Sequence, residues 1–373
     1  MSELSYLEKL LDGVEVEWVT LGSMADIGTG SSNRQDESEN GIYPFYVRSK
    51  NILKSDTFEF DEVAIVIPGE GGIGDIFHYV EGKYALHQRA YRIRITTNAV
   101  DTKFLYYFMS SSFKQYILTK SVGATAISIR KPMLEGFKVP IPSPDNPEKS
   151  LAIQSEIVRI LDKFTALTAE LTAELTMRKK QYNYYRDQLL SFDEGEVEWK
   201  TLGEITRKIA SGRNKTRQAE GDFPVYGSTG LLGFTNEPAY SGDLLLVARV
   251  GAYAGLVNAV SGHFDVSDNT LIIHPSDSWN SRFAFHQLTH MNLNQYAVGA
   301  GQPLITGGML KNLKVPVPSL NEQTRIAKIL DKFETITVSI TEGLPREIEL
   351  RQKQYEYYRD LLFSFPKPEI ASY

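Results

Sequence analysis

Two small groups of residues have the types and spacing that nucleotide-binding or metal sites use. Gly69, Gly71 and Gly74 follow a predicted strand in a G-x-G-x-x-G pattern, which in nucleotide-binding proteins brings phosphates to a helix amino terminus. No clear helix follows, so we predict a glycine-rich hairpin tip, with a nucleotide site as the alternative. His286 and His290 stand four residues apart on a predicted helix, a spacing compatible with two metal ligands. Because no H-E-x-x-H glutamate lies between them, we predict a surface or core pair, no metal site and no catalytic residues.

Motifs of several common enzyme classes are missing. The sequence contains neither the G-x-x-x-x-G-K-[ST] motif for ATP nor the N-P-P-[YF] motif of amino-methyltransferases. It also contains no cysteine, which excludes a disulfide scaffold and thiolate metal sites. We therefore predict that this chain binds no cofactor of its own.

Composition indicates a globular protein with more than one domain. The chain has 373 residues, of which 42% are hydrophobic and 23% charged, so it can bury sizeable cores. A net charge of -6 argues against a nucleic-acid binder when taken alone. Net charge describes the whole surface, however, whereas binding uses one face. No apolar run reaches the roughly 18 residues of a membrane span, and acidic residues near the amino terminus do not suit a signal peptide, so we expect a cytoplasmic protein.

The order of sequence blocks occurs twice along the chain. Near the start of each half, V-E-W-V-T-L-G at 16–22 returns as V-E-W-K-T-L-G at 197–203. Near the end of each predicted domain, K-V-P-I-P-S-P at 138–144 returns as K-V-P-V-P-S-L at 314–320. A helical block follows each time. I-V-R-I-L-D-K-F at 157–164 returns as I-A-K-I-L-D-K-F at 326–333, and K-Q-Y-N-Y-Y-R-D at 180–187 returns as K-Q-Y-E-Y-Y-R-D at 353–360. Such self-similarity predicts a duplicated architecture.

Each half is predicted to be an α+β domain followed by a long helix. The hydrophobic pattern predicts strands at 63–67, 90–95, 244–247 and 269–274, and helices at 102–116 and 281–292. The prolines after each domain end the strands, since proline cannot continue a ladder. We predict domains at 1–145 and 195–319, and helical segments at 146–194 and 320–373.

Apolar residues in both helical segments form one stripe. In the first copy the stripe includes Leu161, Phe164, Leu167 and Leu171, and in the second it includes Ile340. The two stripes predict an antiparallel coiled coil with one domain at each end. The first segment repeats T-A-E-L in tandem at 168–175, and the second is four residues longer between the shared blocks. Gly343 and Pro345 predict a kink or break there, and the alternative for both irregularities is drift in a spacer.

Two variable domains, each followed by a helix carrying I-L-D-K-F and K-Q-Y-x-Y-Y-R-D, resemble the specificity subunit of type I restriction-modification systems. The resemblance covers essentially the whole chain, and it is nearest to the subgroup with T-A-E-L repeats in the first helix. It implies two target-recognition domains that each read one half of a split, asymmetric DNA target. The helices would act as a ruler and dock two methyltransferase subunits. Motor and nuclease subunits would complete the enzyme, and S-adenosylmethionine, ATP and Mg²⁺ would belong to these partners.

Candidate DNA contacts lie in loops at equivalent places of the two halves, where Arg, Asn and Gln offer donors and acceptors suited to base edges. In the first domain they are Asn33, Arg34, Gln35, Arg48, Lys50, Asn51, Gln88, Arg89, Arg130 and Lys131. In the second domain they are Arg213, Asn214, Lys215, Arg217, Gln218, Ser228, Arg249, Asn269 and Gln302. For each of these side chains a solvated surface position is the alternative, and the lysines suit phosphates better than bases.

Two tyrosines of the helical segments lie off the apolar stripe. Tyr184 and Tyr357 are aromatic residues on an otherwise charged face. Because protein–protein interfaces are enriched in aromatic residues, we predict that these two help to hold the methyltransferase subunits.

Three functions remain open from the sequence: a DNA-specificity subunit, an enzyme that uses the glycine loop at 69–74, and a structural coiled-coil adaptor.

Overall fold

The chain divides into two compact units in a computed structural model. The first unit comprises Met1–Glu170 and Glu349–Tyr373, and the second comprises Leu171–Ile348. Both divisions fall inside the predicted helical segments, so each unit contains one globular domain together with parts of both segments. The structure describes residues 6–72, 74–120, 128–193, 195–299 and 301–367.

The first unit is built on a six-stranded sheet with a helix packed against it. The sheet has the order β2-β7-β5-β6-β3-β4, and β3 pairs with β6 in parallel while the other neighbours are antiparallel. A separate pair, β1 with β8, joins the start and end of the domain. The elements are α1 Tyr6–Leu11, β1 Val16–Thr20, β2 Ala25–Thr29, β3 Tyr43–Tyr46, β4 Leu53–Ser55, β5 Phe60–Pro68, β6 His78–Leu86, β7 Ala90–Ile95, α2 Thr102–Lys120, α3 Lys131–Glu135, β8 Lys138–Pro142 and α4 Pro147–Leu190.

The second unit repeats this plan, with its strands divided between two main sheets instead of one. Its strands form two four-stranded sheets, β10-β17-β14-β15 and β12-β11-β16-β13, and the pair β9 with β18. The elements are β9 Glu198–Thr201, α5 Leu202–Ile205, β10 Thr206–Ser211, β11 Phe223–Gly227, β12 Gly230–Thr235, β13 Tyr240–Ser241, β14 Leu244–Ala248, β15 Val257–Val260, β16 His263–Val266, β17 Thr270–Pro275, α6 Ser281–His290, α7 Gly307–Lys311, β18 Lys314–Val317, α8 Leu320–Thr337 and α9 Gly343–Leu362. The predicted strands and helices are therefore confirmed, with small shifts at their ends.

Apolar residues and arginines alternate along β7 because the two faces of the strand have different surroundings. Its isoleucines include Ile93, which is fully buried in the core, whereas Arg92 lies on the other face of the strand. Arg92 is bound by Asp26 at 2.7 Å and by Glu62 at 3.2 Å. Since only 14% of its side chain is exposed, the paired carboxylates balance a charge that burial would otherwise penalise. Arg92 therefore serves the fold rather than a ligand.

A parallel strand pair is shared by both units. Tyr46 of β3 lies opposite Leu86 of β6, and Tyr226 of β11 lies opposite Val266 of β16. Near this pair, a side chain at Gly30 would collide with the carbonyl oxygen of Leu86, and a side chain at Gly212 would collide with those of Val266 and Ser267. Glycine is required at both places because the backbones approach so closely. The duplicated sequence thus folds into a duplicated framework.

The two helical segments differ in continuity. The first, α4, is one helix of 44 residues that runs through the tandem T-A-E-L without a break. The second stops at Thr337 and resumes at Gly343, whose φ of +80° favours glycine and where a Cβ atom would meet the carbonyl oxygen of Thr335. The predicted break is confirmed. The prediction that Ile340 continues the apolar stripe is wrong, because this residue lies in the non-helical stretch and is 79% exposed.

None of the helices in the described part of the chain combines enough length with enough apolar character to cross a membrane. Even α4 carries frequent charges along its length.

A buried glutamine fixes each helical segment to its domain. Gln154 of α4 is fully buried; it accepts a hydrogen bond from the backbone N–H of Asp101 at 2.8 Å and donates one to the carbonyl of Ala99 at 3.0 Å. Gln323 of α8, also fully buried, accepts one from the N–H of Asn280 at 2.8 Å. Each glutamine satisfies backbone groups just before the helix of its domain begins, groups that would be costly to bury unpaired.

The aspartate of I-L-D-K-F makes the next contact in each copy. Asp162 accepts hydrogen bonds from Lys103 at 2.7 Å and Tyr107 at 2.6 Å, both on α2. Asp331 accepts one from Arg282 of α6 at 2.7 Å. The repeated motif therefore carries a polar anchor that meets the same helix of the domain in both units.

Aromatic stacking completes the repeated contacts. In the first unit, Phe164 stacks on Tyr358 with ring centroids 5.4 Å apart. In the second unit, Phe333 stacks on Tyr185 at 5.6 Å. The last residue of I-L-D-K-F thus meets the second tyrosine of the Y-Y pair from the other helical segment in each case.

We predict that Gln154→Leu and Gln323→Leu each lower the free energy of unfolding by about 1–3 kcal/mol, because leucine leaves a buried backbone N–H without its acceptor. Chemical denaturation followed by circular dichroism measures the change. Gln352→Leu, on the exposed surface of α9, is the matched control and should change stability by less than about 0.5 kcal/mol. Equal effects of the buried and exposed substitutions would contradict the anchoring role.

Candidate nucleic-acid interface

The four predicted contact segments of the first domain meet at one place. Backbone hydrogen bonds join them: Ser32 N to Leu86 O at 3.1 Å, His87 N to Tyr46 O at 3.0 Å, Gly69 N to Arg89 O at 2.8 Å, and Ile129 N to Gly69 O at 2.8 Å. Residues 124–127, which the sequence groups with Arg130 and Lys131, lie outside the described residues. Side chains from distant parts of the sequence are therefore presented together by a hydrogen-bonded framework.

Two of the predicted arginines converge on one carboxylate. Arg48 Nη1 and Arg89 Nη1 lie 3.1 and 3.2 Å from Glu70 Oε2. The three side chains are 46%, 57% and 44% exposed, respectively. Arg48 and Glu70 line a cleft of about 350 Å³, together with Arg34 and His87. Glu70 was not among the candidates predicted from the sequence, although it directly follows Gly69 of the predicted glycine-rich hairpin tip.

His87 has a structural role beside this cleft. Its Nδ1 accepts a hydrogen bond from the backbone N–H of Arg89 at 3.0 Å. Burial lowers the pKa of His87, and the nearby charges of Arg48 and Arg89 lower it further. The imidazole is therefore neutral at pH 7 and shapes the loop without adding charge.

The remaining candidates of the first domain differ in how free their side chains are. Asn33 caps a short 3₁₀ helix, Arg34–Asp36, by accepting the N–H of Gln35 at 3.0 Å, so its carbonyl oxygen is engaged locally. Arg34 is 79% exposed and lies 3.4 Å from Glu37. Lys131 pairs loosely with Glu135 at 3.8 Å. The other candidates are exposed to solvent, and they are Gln35, Lys50, Asn51, Gln88 and Arg130.

Equivalent hydrogen bonds join the contact segments of the second domain. They run from Asn214 N to Val266 O at 2.9 Å, Ser267 N to Tyr226 O at 2.8 Å, Arg249 N to Asn269 O at 3.0 Å, and Ile305 N to Arg249 O at 2.8 Å. These bonds match those of the first domain one by one. The framework is shared, and the side chains that it carries differ.

Two candidates of the second domain bind their own loops. Asn214 Nδ2 donates to Asp265 at 2.6 Å, and Ser228 Oγ donates to the carbonyl of Asn269 at 2.9 Å. Arg249 is half-buried, and its Nε has no hydrogen-bond partner among the described residues. The others present exposed side chains, and they are Arg213, Lys215, Arg217, Gln218, Asn269 and Gln302.

The glycine loop joins two paired strands. It connects β5 to β6, which form an antiparallel hairpin. Gly71, Gly72 and Gly74 all have positive φ, from +54° to +75°, which favours glycine. The next element is the strand β6, so in the described residues no helix amino terminus follows to bind a phosphate. The geometry matches the predicted hairpin tip rather than a nucleotide site.

His286 and His290 face different carboxylates. His286 Nε2 lies 2.7 Å from Asp331, and Glu334 completes a cluster whose ligand atoms are within 4.8 Å of one another. Arg282 binds both carboxylates, at 2.7 and 2.6 Å, so one positive charge already offsets part of the negative charge of the cluster. Burial lowers the pKa of His286 although Asp331 opposes the shift. His290 lies 3.2 Å from Asp187 instead. The pair does not converge on a common ligand.

Tyr184 and Tyr357 are the most exposed tyrosines of the helical segments that the structure describes. They are 62% and 65% exposed, and each packs edge-to-face on its neighbour, Tyr185 or Tyr358. The neighbours stack inward on Phe333 and Phe164, as described above. The off-stripe positions predicted from the sequence thus correspond to exposed rings.

Comparisons with known proteins agree with this architecture. The family model for the type I restriction modification DNA specificity domain matches residues 13–177 and 194–350. The chain is 40% identical to the EcoR124I/EcoR124II specificity subunit of Escherichia coli over the full length of both chains. It is 41% identical to the EcoprrI specificity subunit of the same species, over 92% of this chain and 93% of that one. A crystal structure of the S subunit of a type I system from M. genitalium shares the fold, with a TM-score of 0.67 and 20% identity over 96% of this chain and 98% of that one. The chain therefore belongs to the family of type I restriction-modification specificity subunits, which confer DNA sequence specificity and are not themselves catalytic.

Proposed function

We propose that each globular domain reads one half of a bipartite, asymmetric target in double-stranded DNA. The observation that carries the proposal is the shared loop framework of the two units with unlike side chains on it. The framework would set the position of each loop, and the side chains would read base edges by hydrogen bonding.

Equivalent positions of the two frameworks support unlike half-sites. The hydrogen bonds pair Gly69 with Arg249 and Arg89 with Asn269, since each pair occupies the same place in the pattern. Arginine suits guanine and asparagine suits adenine, so exchanging one for the other changes the base that is preferred. A palindromic target would be difficult to reconcile with such differences.

The helical segments are proposed to act as a ruler. Their aromatic contacts, Phe164 with Tyr358 and Phe333 with Tyr185, support pairing in the antiparallel sense predicted from the apolar stripes. The 44 residues of α4 span about 66 Å at about 1.5 Å per residue. The tandem T-A-E-L lies within this regular stretch, which supports membership of the subgroup with such repeats.

Partner subunits are proposed to supply the chemistry. Two methyltransferase subunits would dock on the helical segments, with Tyr184 and Tyr357 among the contacts, and motor and endonuclease subunits would join the full complex. S-adenosylmethionine, ATP and Mg²⁺ would bind in those partners. We place the assembly in the cytoplasm, where its DNA substrate is.

The proposed function predicts that the chain and its cognate methyltransferase subunit together methylate DNA at a split, non-palindromic sequence. Methylome sequencing of DNA treated with the purified complex and S-adenosylmethionine measures the motif. The chain alone should leave the DNA unmodified. Methylation or nucleotide binding by the chain alone would favour an enzyme, and methylation without sequence preference would favour a structural adaptor.

Removing one T-A-E-L unit, residues 172–175, should shorten the gap between half-sites by one to two base pairs. The deletion removes about 6 Å of rise and about 40° of rotation, against about 3.4 Å and 35° for a base pair. Methylome sequencing of the variant gives the new gap. Glu170→Gln, which keeps the length of α4, is the control. An unchanged gap or an altered half-site would show that the helix is only a tether.

Alanine at both Tyr184 and Tyr357 should weaken assembly with the methyltransferase subunit by about tenfold, since exposed aromatic rings commonly contribute 1 kcal/mol or more to an interface. Isothermal titration calorimetry measures the affinity, and thermal melting checks the fold. Tyr253→Ala, a similarly exposed tyrosine outside the helices, is the matched control. Unchanged affinity in the double variant would rule out this docking surface.

A further inference from the structure

We propose that Arg48, Glu70 and Arg89 form one reading unit that selects a G·C base pair in the half-site of the first domain. This inference rests on the proposed function, because it names what one of the two DNA-reading surfaces selects. The three residues come from three separate connections, after β3, after β5 and after β6. The fold therefore assembles a group that has no signature in the sequence.

The geometry leaves hydrogen-bonding capacity on all three residues. Arg48 and Arg89 each use a single Nη1 atom, and both reach the same oxygen, Oε2, of Glu70. Oε1 of Glu70 takes part in neither bond. A guanidinium carries five N–H donors, so each arginine retains donors for a base edge while the carboxylate limits its rotamers. Each side chain is about half exposed, so the group is accessible to DNA at the surface of the domain.

The carboxylate distinguishes base reading from phosphate binding. Phosphate contacts reward positive charge, and Glu70 would repel a phosphate that approached either arginine. The same carboxylate is the acceptor that matches the N4 amino group of cytosine, while arginine matches O6 and N7 of guanine. Two arginines and one glutamate together carry a net charge of +1. The group thus suits the edges of a G·C pair.

A purely structural ion pair explains the group less well. Half-exposed ion pairs contribute little to stability, and these connections are already tied by backbone hydrogen bonds, such as Gly69 N to Arg89 O at 2.8 Å. Removing the charges would therefore leave the loops in place. The fold does not need the group, which leaves it available for recognition.

The second domain carries a neutral set at the equivalent positions. Asn269 occupies the place of Arg89, Val250 follows Arg249 as Glu70 follows Gly69, and Ser228 stands two residues after Tyr226 as Arg48 does after Tyr46. The charged group thus belongs to the first domain alone. Substitutions in it are expected to alter one half-site and spare the other.

Substitutions that keep charge or shape test the reading unit. Arg48→Lys and Arg89→Lys keep the positive charge but lose the planar fork, and Glu70→Gln keeps the shape but adds a donor. Each variant, in complex with the cognate methyltransferase subunit, methylates DNA that carries every base at every target position, and sequencing gives the rate for each base. Glu81→Gln, an exposed carboxylate on β6, is the matched control.

We expect Glu70→Gln and at least one lysine variant to reduce discrimination at a single G·C position by about tenfold. The other half-site should keep its sequence, and Glu81→Gln should behave as the parent chain does. A uniform fall in rate for all sequences would show phosphate contacts and overturn the inference, as would an unchanged motif or a changed position other than G·C. A parent complex without any sequence preference would instead overturn the proposed function. Thermal melting of each variant separates these outcomes from misfolding.

Discussion

The buried glutamine and the aspartate of each helical block fix the angle at which a helix leaves its domain. Gln154 and Gln323 bind backbone groups at the start of the domain helix, and Asp162 and Asp331 bind side chains two residues further along it, at Lys103 and Arg282. Two contact points along one helix prevent rotation about either. Any function that depends on helix length requires this rigidity, because a flexible joint would absorb a change of a few ångströms.

Beyond these anchors, each domain contains residues that hold the loops and exposed residues to which we assign DNA reading as a proposal. Backbone hydrogen bonds and close-packed glycines such as Gly30 and Gly212 define the loop positions in both units. Such contacts tolerate almost any neighbouring side chain, so the exposed positions can vary without loss of the fold. Asn33, Asn214 and Ser228 belong partly to the first class, since their polar groups bind their own loops. The exposed arginines belong to the second.

The sequence predicted the features of the fold that depend on a few consecutive residues. The limits of β7 and the break before Gly343 followed from alternation and from glycine and proline, and each depends on a few consecutive residues. The pairing of Arg48 and Arg89 with Glu70 did not follow, because it joins loops that only the folded sheet brings together. Ile340 was assigned to the stripe by its spacing, yet the backbone there is not helical. The resemblance to a known family identified the function. The structure identified which candidate side chains already form hydrogen bonds or ion pairs within their own domain.

The break in the second segment is where the two helical segments differ most. Residues 338–342 are not helical, whereas α4 is continuous through the tandem T-A-E-L. A helix has a fixed rise of about 1.5 Å per residue, and a non-helical stretch has no such fixed rise. If α4 changes by four residues, residues 338–342 therefore let the second segment follow the change without unfolding α8 or α9. The joints between helix and domain stay rigid at Gln323 and Asp331, so a change in the length of α4 is passed on to the domains rather than opposed by the second segment.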